Sequence, residues 1–186
     1  MRIAIFLFCL LFLLVKCAGP IKEFYPDSYF TEDHIYENKS IRFSLTFRSN
    51  WDIETDPNKL SRGIQKEVRR HQKGGVELLF AGATTDGLQG VMAVAANWNE
   101  STQKYAETIR EKNKDNVTAD SGLVDMLIKD KPIVKWKYSK FELQYIEFFF
   151  TIDTYNVRVG FWSEPEIFNR FLPVYLSIIS SLDYLY

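Results

Sequence analysis

Cysteine and histidine are scarce in this chain of 186 residues, which contains two of each. Cys9 and Cys17 both lie near the start, so the chain from Ala18 onward has no thiol. That part cannot form a disulfide, present a thiol nucleophile or bind a metal through thiolate. A domain built from it must be held together by its hydrophobic core.

Motifs for catalysis or cofactor binding are also absent from the sequence. His34 and His71 are far apart, and neither accompanies a Gly-x-Ser-x-Gly elbow, so a hydrolase that uses one of them is the weakest functional hypothesis. Two isolated histidines do not make a zinc site, and the glycines follow neither the Rossmann nor the P-loop spacing. We therefore expect no catalytic residue, no metal, no cofactor and no enzymatic activity.

An excess of positive charge is missing as well. Without Arg2 and Lys16, the basic residues fall from 23 to 21 against 24 acidic ones, which gives a net charge of −3. Binding to nucleic acid needs a concentrated positive surface. We therefore expect no nucleic acid among the partners.

Residues 1–16 have the pattern of a secretory signal peptide. Arg2 precedes an apolar run from Ile3 to Val15. At about 1.5 Å per residue this run reaches about 20 Å as a helix, which is too short for a hydrocarbon core of about 30 Å. The pattern predicts export, to the cell envelope or to the periplasmic or secreted space.

Cys17 can be interpreted in two ways. The Leu-rich run before it suits a lipoprotein signal, in which Cys17 becomes the acylated N-terminus, although Lys16 does not suit that pattern. The alternative is ordinary signal-peptidase cleavage near Cys17 or Ala18. Acyl chains would anchor the protein to a membrane, and residues 17–33 would then form a tether before a domain at residues 34–186.

Alternating apolar residues predict most of the strands. Ile41, Phe43, Leu45 and Phe47 alternate with polar residues after a strand at 34–36, and Trp51 and Ile53 finish that edge. Further strands are predicted at 76–81, 91–96, 123–128, 133–138, 141–151 and 154–162. The short connections between the last four favour antiparallel hairpins.

Three segments have helix patterns. Asp56-Pro57 predicts a helix start that leads toward Gly74-Gly75, and residues 102–112 form a second predicted helix. The third begins at a Ser163–Glu166 capping box and carries an apolar stripe to Leu182, with a kink or a break at Pro173. The element order predicts an α+β fold, an α-β-α sandwich with one mostly antiparallel central sheet flanked by helices.

The segments NKSIRFSLTFRSNW, GVELLFAGA, GVMAVAANW and the closing FFFTIDTYNVRVGFWSEPEIFNRFLPVYLSIISSLDYL resemble the PsbP/Mog1 family of α-β-α sandwiches. The resemblance covers about residues 35–185. It implies a binding or assembly role, because members of the family support photosystem II or bind a small GTPase, and many bacterial relatives are exported lipoproteins of unassigned role. These are packing patterns, so the resemblance transfers no functional residue.

Two further hypotheses follow for an exported chain of this kind. The first is a non-catalytic binding or assembly module that docks an envelope or secreted protein, with tryptophans as candidate anchors: Trp51, Trp98, Trp136 and Trp162. The alternative is a carrier of a small apolar ligand, with its pocket between the sheet and the C-terminal helix beside Pro173.

N-glycosylation sequons occur at Asn38, Asn99 and Asn116 and matter only in a eukaryotic secretory pathway.

Overall fold

The computed structural model of the protein describes residues 28–62, 65–66 and 75–185. Two helices, α1 (Thr102–Asn113) and α2 (Pro165–Ser180), accompany eleven strands in this part of the chain. The strands are β1 (Ser28–Phe30), β2 (Ile35–Asn38), β3 (Phe43–Thr46), β4 (Trp51–Glu54), β5 (Val76–Thr84), β6 (Gln89–Asn97), β7 (Ala119–Ile128), β8 (Lys131–Lys140), β9 (Leu143–Ile152), β10 (Tyr155–Ser163) and β11 (Asp183–Tyr184).

The strands form two antiparallel sheets, which confirms the α+β class and the antiparallel pairing. The larger sheet has the order β4-β5-β6-β10-β9-β8-β7, and the smaller one has the order β1-β2-β3-β11. The expectation of one central sheet is wrong, because the chain changes sheets between Thr46 and Trp51: β3 pairs with β2, whereas β4 pairs with β5. Strand β1 lies within the segment assigned to the tether and pairs with β2.

Strand β9 shows how the two faces of the larger sheet are used. Phe148, Phe149 and Phe150 are fully buried. Because strand side chains alternate, Phe148 and Phe150 share a core with Phe168 of α2, whereas Phe149 packs with Tyr105 of α1 on the opposite face. The two helices therefore lie against opposite faces of the larger sheet.

The face that carries α2 also carries the smaller sheet. The ring of Phe43 in β3 lies 5.7 Å from that of Phe150, and the ring of Tyr36 in β2 lies 4.5 Å from that of Phe80. This layer therefore combines a helix with four strands, rather than consisting of helices alone. Ser181, the C-cap residue of α2, connects this helix with the smaller sheet, because its Oγ accepts a hydrogen bond from the Thr46 N–H of β3 at 2.8 Å.

Helix α2 differs from its predicted form at two points. It continues through Pro173 without a break, because buried side chains on both sides of the proline, Phe168 before it and Tyr175 after it, are held in one core. The predicted capping box does not form. Ser163 is the last residue of β10, the N-cap is Glu164, and Pro165 takes the first helical position.

Two other predicted segments have partial outcomes. Asp56 caps a short 3-10 turn at Pro57–Lys59 by accepting the Asn58 N–H, and most of the predicted helix beyond Ser61 lies outside the described residues. Strand β7 begins at Ala119, four residues before the strand predicted at 123–128. Its early start leaves a register shift between Asp120 and Leu123, where Gly122 adopts a φ of 75°.

Candidate functional site

A groove of about 640 Å³ opens at one end of the larger sheet, on strands β4, β5, β6 and β10. Its main wall is Trp162, which follows Phe161 in β10. Phe161 stacks on Tyr175 of α2 at 4.9 Å, so alternation puts Trp162 on the opposite face, the one that carries α1. Helix α1 covers β8 and β9 on that face and leaves the groove open beside it.

Trp162 lies flat over Gly90. The two residues are cross-strand partners between β10 and β6. A Cβ atom at Gly90 would lie between 2.2 and 2.5 Å from three atoms of the Trp162 indole. Only a residue without a side chain therefore allows the indole to rest on the backbone of the neighbouring strand.

A row of aromatic rings connects Trp162 with the region under α1. The rings of Trp162 and Tyr145 are 6.0 Å apart, Tyr145 stacks on Tyr138 at 5.1 Å, and Tyr138 stacks on Trp136 at 3.9 Å. Trp136 is fully buried, whereas Trp162 is partly exposed. The row thus fixes the position of the Trp162 ring from the core side.

Small side chains form the floor of the groove. Across the sheet from Trp162 the cross-strand partners are Gly90, Ala83 and Asp52 in turn. Ala81 lies beside Ala83 on the same face of β5. Apolar side chains complete the walls: Leu60, Leu88, Met92 and Leu143. Leu88 is 47% exposed at the groove, so part of this apolar surface contacts solvent.

The charged side chains among the described groove residues are mainly acidic. Asp52, Glu54 and Glu164 line it together with one cation, Lys59. Glu54 is already engaged, because its Oε1 accepts the Asp56 N–H at 2.8 Å and its Oε2 lies 3.8 Å from Lys59 Nζ. Asp52 and Glu164 are exposed.

A buried ionic cluster lies on the same face, between the groove and α1. Arg158 Nη1 is 3.8 Å from Glu147 Oε2, and the two side chains are only 12% and 10% exposed. Tyr138 donates its hydroxyl hydrogen to Glu147 Oε1 at 3.0 Å. Burial lowers the pKa of Arg158, but the Glu147 carboxylate raises it and determines the net direction. Burial, with Glu147, raises the pKa of the Tyr138 hydroxyl well above its usual range. Arg158 is therefore charged and Tyr138 neutral at physiological pH.

The four tryptophans proposed as anchors have different environments. Trp51 and Trp136 are buried in the two cores on opposite faces of the sheet. Trp98 is partly buried against Tyr105 of α1. Trp162 alone among the four lines the groove. The sequence pattern does not distinguish Trp162 from the other three tryptophans. It also gives little indication of Gly90, which is a glycine next to an apolar strand segment.

The apolar pocket expected beside α2 is not where the cavity lies. Helix α2 buries Phe168, Tyr175, Ile178 and Ile179, so side chains fill its interface with the sheet. The groove is on the opposite face, and only the N-cap residue Glu164 brings it near this helix. The groove therefore lies elsewhere than the position predicted for a ligand pocket.

The histidines and the cysteine considered in the sequence analysis lie outside the described groove lining or outside the described residues. The Nδ1 atom of His34 lies 3.4 Å from the Tyr29 hydroxyl, and the residue is not part of the groove lining. His71 and Cys17 lie outside the described residues. Within residues 28–62, 65–66 and 75–185, no three Asp, Glu or His side chains cluster as metal ligands.

The sequons differ in accessibility. Asn38 is 3% exposed, its amide donates to the Tyr36 hydroxyl at 3.1 Å, and its Oδ1 accepts the Ile41 N–H at 2.8 Å. This side chain is unavailable to a glycan in the folded protein. Asn99 and Asn116 are exposed.

No helix within the described ranges is long and apolar enough to cross a membrane.

Comparison with known proteins gives relatives by structure alone. No protein-family model matches the chain, and no curated protein matches it. The cyanobacterial PsbP (CyanoP) from Synechocystis sp. PCC 6803 superposes with a TM-score of 0.56 at 6% identity, over 81% of this chain and 91% of that one. A protein from Bacteroides thetaiotaomicron VPI-5482 superposes with a TM-score of 0.50 at 14% identity, over 82% of this chain and 48% of that one. This chain thus spans about half the length of the second protein.

These similarities show a PsbP-like fold, which confirms the structural part of the resemblance seen in the sequence. At 6% and 14% identity they extend to the fold alone.

Proposed function

We propose that the protein is a non-catalytic binding or assembly module and that the Trp162 groove is its binding surface. The observation that carries this proposal is an open groove of about 640 Å³ whose wall is a partly exposed tryptophan held flat over Gly90. Its volume is in the range of about 300–1,000 Å³ found for ligand-binding pockets. A rigid aromatic side chain in such a position is the usual anchor of a binding surface.

The composition of the groove supports binding rather than chemistry. Its described lining contains neither a histidine that could activate a serine nucleophile nor a cysteine. The buried Arg158–Glu147 pair lies between the groove and α1, outside the groove lining, and each of its members has the other as its charged neighbour. A PsbP-like fold in a structural neighbour is consistent with the same role.

In this proposal the module acts outside the cytosol. The support is the signal-peptide pattern of residues 1–16, and Cys17 would carry the lipid anchor if the chain is a lipoprotein. The test is the intact mass of the mature protein from membrane and soluble fractions, with a Cys17→Ala variant as control. An added mass of several hundred daltons that is lost in the variant supports anchoring. An unmodified N-terminus at Ala18 or later removes the anchor from the proposal.

Photo-crosslinking in the source organism tests the groove as a docking surface. A photoreactive amino acid at Leu88, which is 47% exposed in the groove, is compared with one at Leu127, which is 71% exposed on edge strand β7. We expect a discrete protein adduct from position 88 that is absent from position 127 and is lost when Trp162→Ala is added. Equal labelling from both positions, or labelling that does not depend on Trp162, contradicts docking in the groove.

The second candidate is a carrier of a small apolar ligand that uses this groove instead of the site predicted beside α2. The apolar walls and the volume of the groove favour it. Native mass spectrometry of protein purified from its source is the discriminating measurement. A bound molecule of a few hundred daltons that is absent from Gly90→Ala favours the carrier, because the new methyl group collides with Trp162 and reshapes the wall.

A further inference from the structure

The charges at the groove restrict what it can bind. This inference rests on the proposed binding function and specifies the partner. Among the described residues, three carboxylates and one ammonium group line the groove, and together they carry a charge of −2 when all four are ionised. The ammonium group of Lys59 lies 3.8 Å from Glu54, so the carboxylates of Asp52 and Glu164 account for the remaining charge. A phosphate or a carboxylate ligand would be repelled here, and a cation would be attracted.

Trp162 adds a second preference for a cation. One face of its indole rests on Gly90, and Tyr145 lies beside it, so the partly exposed remainder of the ring is presented to the groove. The face of an indole attracts ammonium and guanidinium groups through the negative charge of its π system. Glu164 follows Trp162 by two residues and lines the same groove.

The dimensions fit a short extended segment. Between the backbones of Trp162 and Asp52 the cross-strand row contains Gly90, which the indole covers, and Ala83. The two backbones are therefore three interstrand spacings apart, about 14 Å. About four residues of extended chain cover that distance. The apolar walls between the two ends, Leu88 and Met92, suit apolar residues and the aliphatic stems of long basic side chains.

We infer that the Trp162 groove binds an extended basic segment of a partner protein, with two Lys or Arg residues about four positions apart. One cation lies over the Trp162 indole beside Glu164, and the other lies at Asp52. Apolar residues between them contact the walls formed by Leu88 and Met92. The small floor residues Ala81 and Ala83 leave room for the backbone of the segment beside the indole, which covers Gly90.

Three synthetic probe peptides test this inference on the purified protein. All three are nine residues long, acetylated and amidated, with leucine, alanine and leucine between two positions that are lysine, glutamine or glutamate. Binding is measured by calorimetry and by tryptophan fluorescence. We expect the lysine peptide to bind at least about tenfold more tightly than the glutamate peptide. The difference should shrink as NaCl rises from about 0.05 M to about 0.5 M, because salt screens exposed charges.

Substitutions locate the effect. We expect the double variant Asp52→Asn/Glu164→Gln to reduce the preference for lysine over glutamate to about twofold or less. Asp125→Asn/Asp130→Asn, at the far edge of the sheet, makes the same change in net charge on exposed residues outside the groove lining and should leave the preference intact. Trp162→Ala and Trp162→Leu should both abolish binding of the lysine peptide, with circular dichroism verifying that each variant is folded.

The outcomes separate this inference from the proposed function. Equal binding of the lysine and glutamate peptides that still depends on Trp162 overturns the basic partner and leaves the binding groove in place. Lysine-peptide binding that is unaffected by the groove substitutions overturns the inference, because the cation then binds elsewhere. No binding of the lysine peptide at about 1 mM overturns it as well, whereas loss of the position 88 crosslink concerns the proposed function itself.

Discussion

The two faces of the larger sheet are covered to different extents. On one face, α2 and the smaller sheet pack against the strands, and the side chains between them are fully buried aromatic rings such as Phe80, Phe148, Phe150 and Phe161. On the other face, α1 covers β8 and β9, and the strands beyond them carry glycine and alanine beside one tryptophan. One face stabilises the fold, and the other combines a small core with an open groove.

Part of this difference arises at one position of β6, where Gly90 faces the groove side beneath Trp162. The missing volume at Gly90 lets Trp162 lie flat, so the groove face has one rigid aromatic surface where the other face has many interlocked rings. Core rings are replaceable only at high cost in stability, whereas groove residues are free to serve recognition.

The sharpest test of this comparison substitutes neighbouring residues on opposite faces. Phe161→Ala removes a fully buried ring that contacts Trp51, Phe148 and Tyr175 at centroid distances of 6.1, 6.2 and 4.9 Å. We expect it to lower the free energy of unfolding by about 3–5 kcal/mol. Trp162→Ala, on the partly exposed side, should lower it by less than half as much. Equal losses in urea titrations would show that the two faces contribute alike to stability.

The buried ion pair predicts the next largest effect. Arg158→Met leaves the Glu147 carboxylate buried without its charged partner, and Oε2 of that carboxylate has no hydrogen bond in the described structure. We expect a loss of about 3 kcal/mol in unfolding free energy at neutral pH. The double variant Arg158→Met/Glu147→Gln removes both charges and should be clearly more stable than the single variant. A double variant as unstable as Arg158→Met would argue against coupling between the two groups.

Much of the fold could be predicted from the sequence because local patterns determine it. The alternation of Phe43 and Leu45 and the apolar stripe of α2 report burial directly. The choice of strand partners cannot be read from them: β3 and β4 look like successive strands of one edge, yet they join different sheets. Pro173 misled for a related reason, since its effect on a helix depends on packing on either side, which local sequence does not contain.

The groove could be predicted less well than the fold. Trp162 has the same local pattern as the buried Trp51. Trp51 belongs to the core on the α2 face, whereas Trp162 lies on the face where α1 packs on β8 and β9, and it remains partly exposed. Gly90 and Ala83 are ordinary strand residues until the register places them in a row beside Trp162. A site formed by the absence of side chains leaves no motif in the sequence.

Gly90→Ala should lower the free energy of unfolding by less than Phe161→Ala does, and it should displace the Trp162 ring that forms the wall of the groove. Its methyl group would lie 2.2–2.5 Å from the indole of Trp162, so the ring must move. We expect a loss of about 1–3 kcal/mol and a shift in tryptophan emission. Gly160→Ala is the matched control, because its methyl group would lie 3.4 Å from Glu147 Cγ, at the edge of ordinary contact. Unchanged emission in Gly90→Ala would contradict the stacked position of Trp162.

The smallest effect concerns Asp120, which fixes the outer edge of the α1 face. Its carboxylate accepts hydrogen bonds from Trp136 Nε1 at 2.9 Å, Arg110 Nε at 2.7 Å and the Gly122 N–H at 2.8 Å. Burial raises the pKa of Asp120, but these bonds together outweigh it and hold the pKa below its usual value. Asp120→Asn should therefore lower the unfolding free energy at pH 7 by about 1 kcal/mol or less, since solvent screens this partly exposed group.

The pH dependence of this effect has a definite sign. Because the folded state binds the Asp120 proton more weakly than the unfolded state does, its contribution is fully present above the unfolded pKa of about 3.9. It is lost as the pH falls through the lower folded pKa. Urea titrations at pH 7 and at about pH 2.5 should therefore show the difference between the native protein and Asp120→Asn shrinking in acid. Asp125→Asn, an exposed residue on the same strand, should change stability by about 0.5 kcal/mol or less at both pH values. A constant difference for Asp120→Asn would mean that its bonds are equally strong when the carboxyl is protonated, and that charge does not hold α1 at this edge.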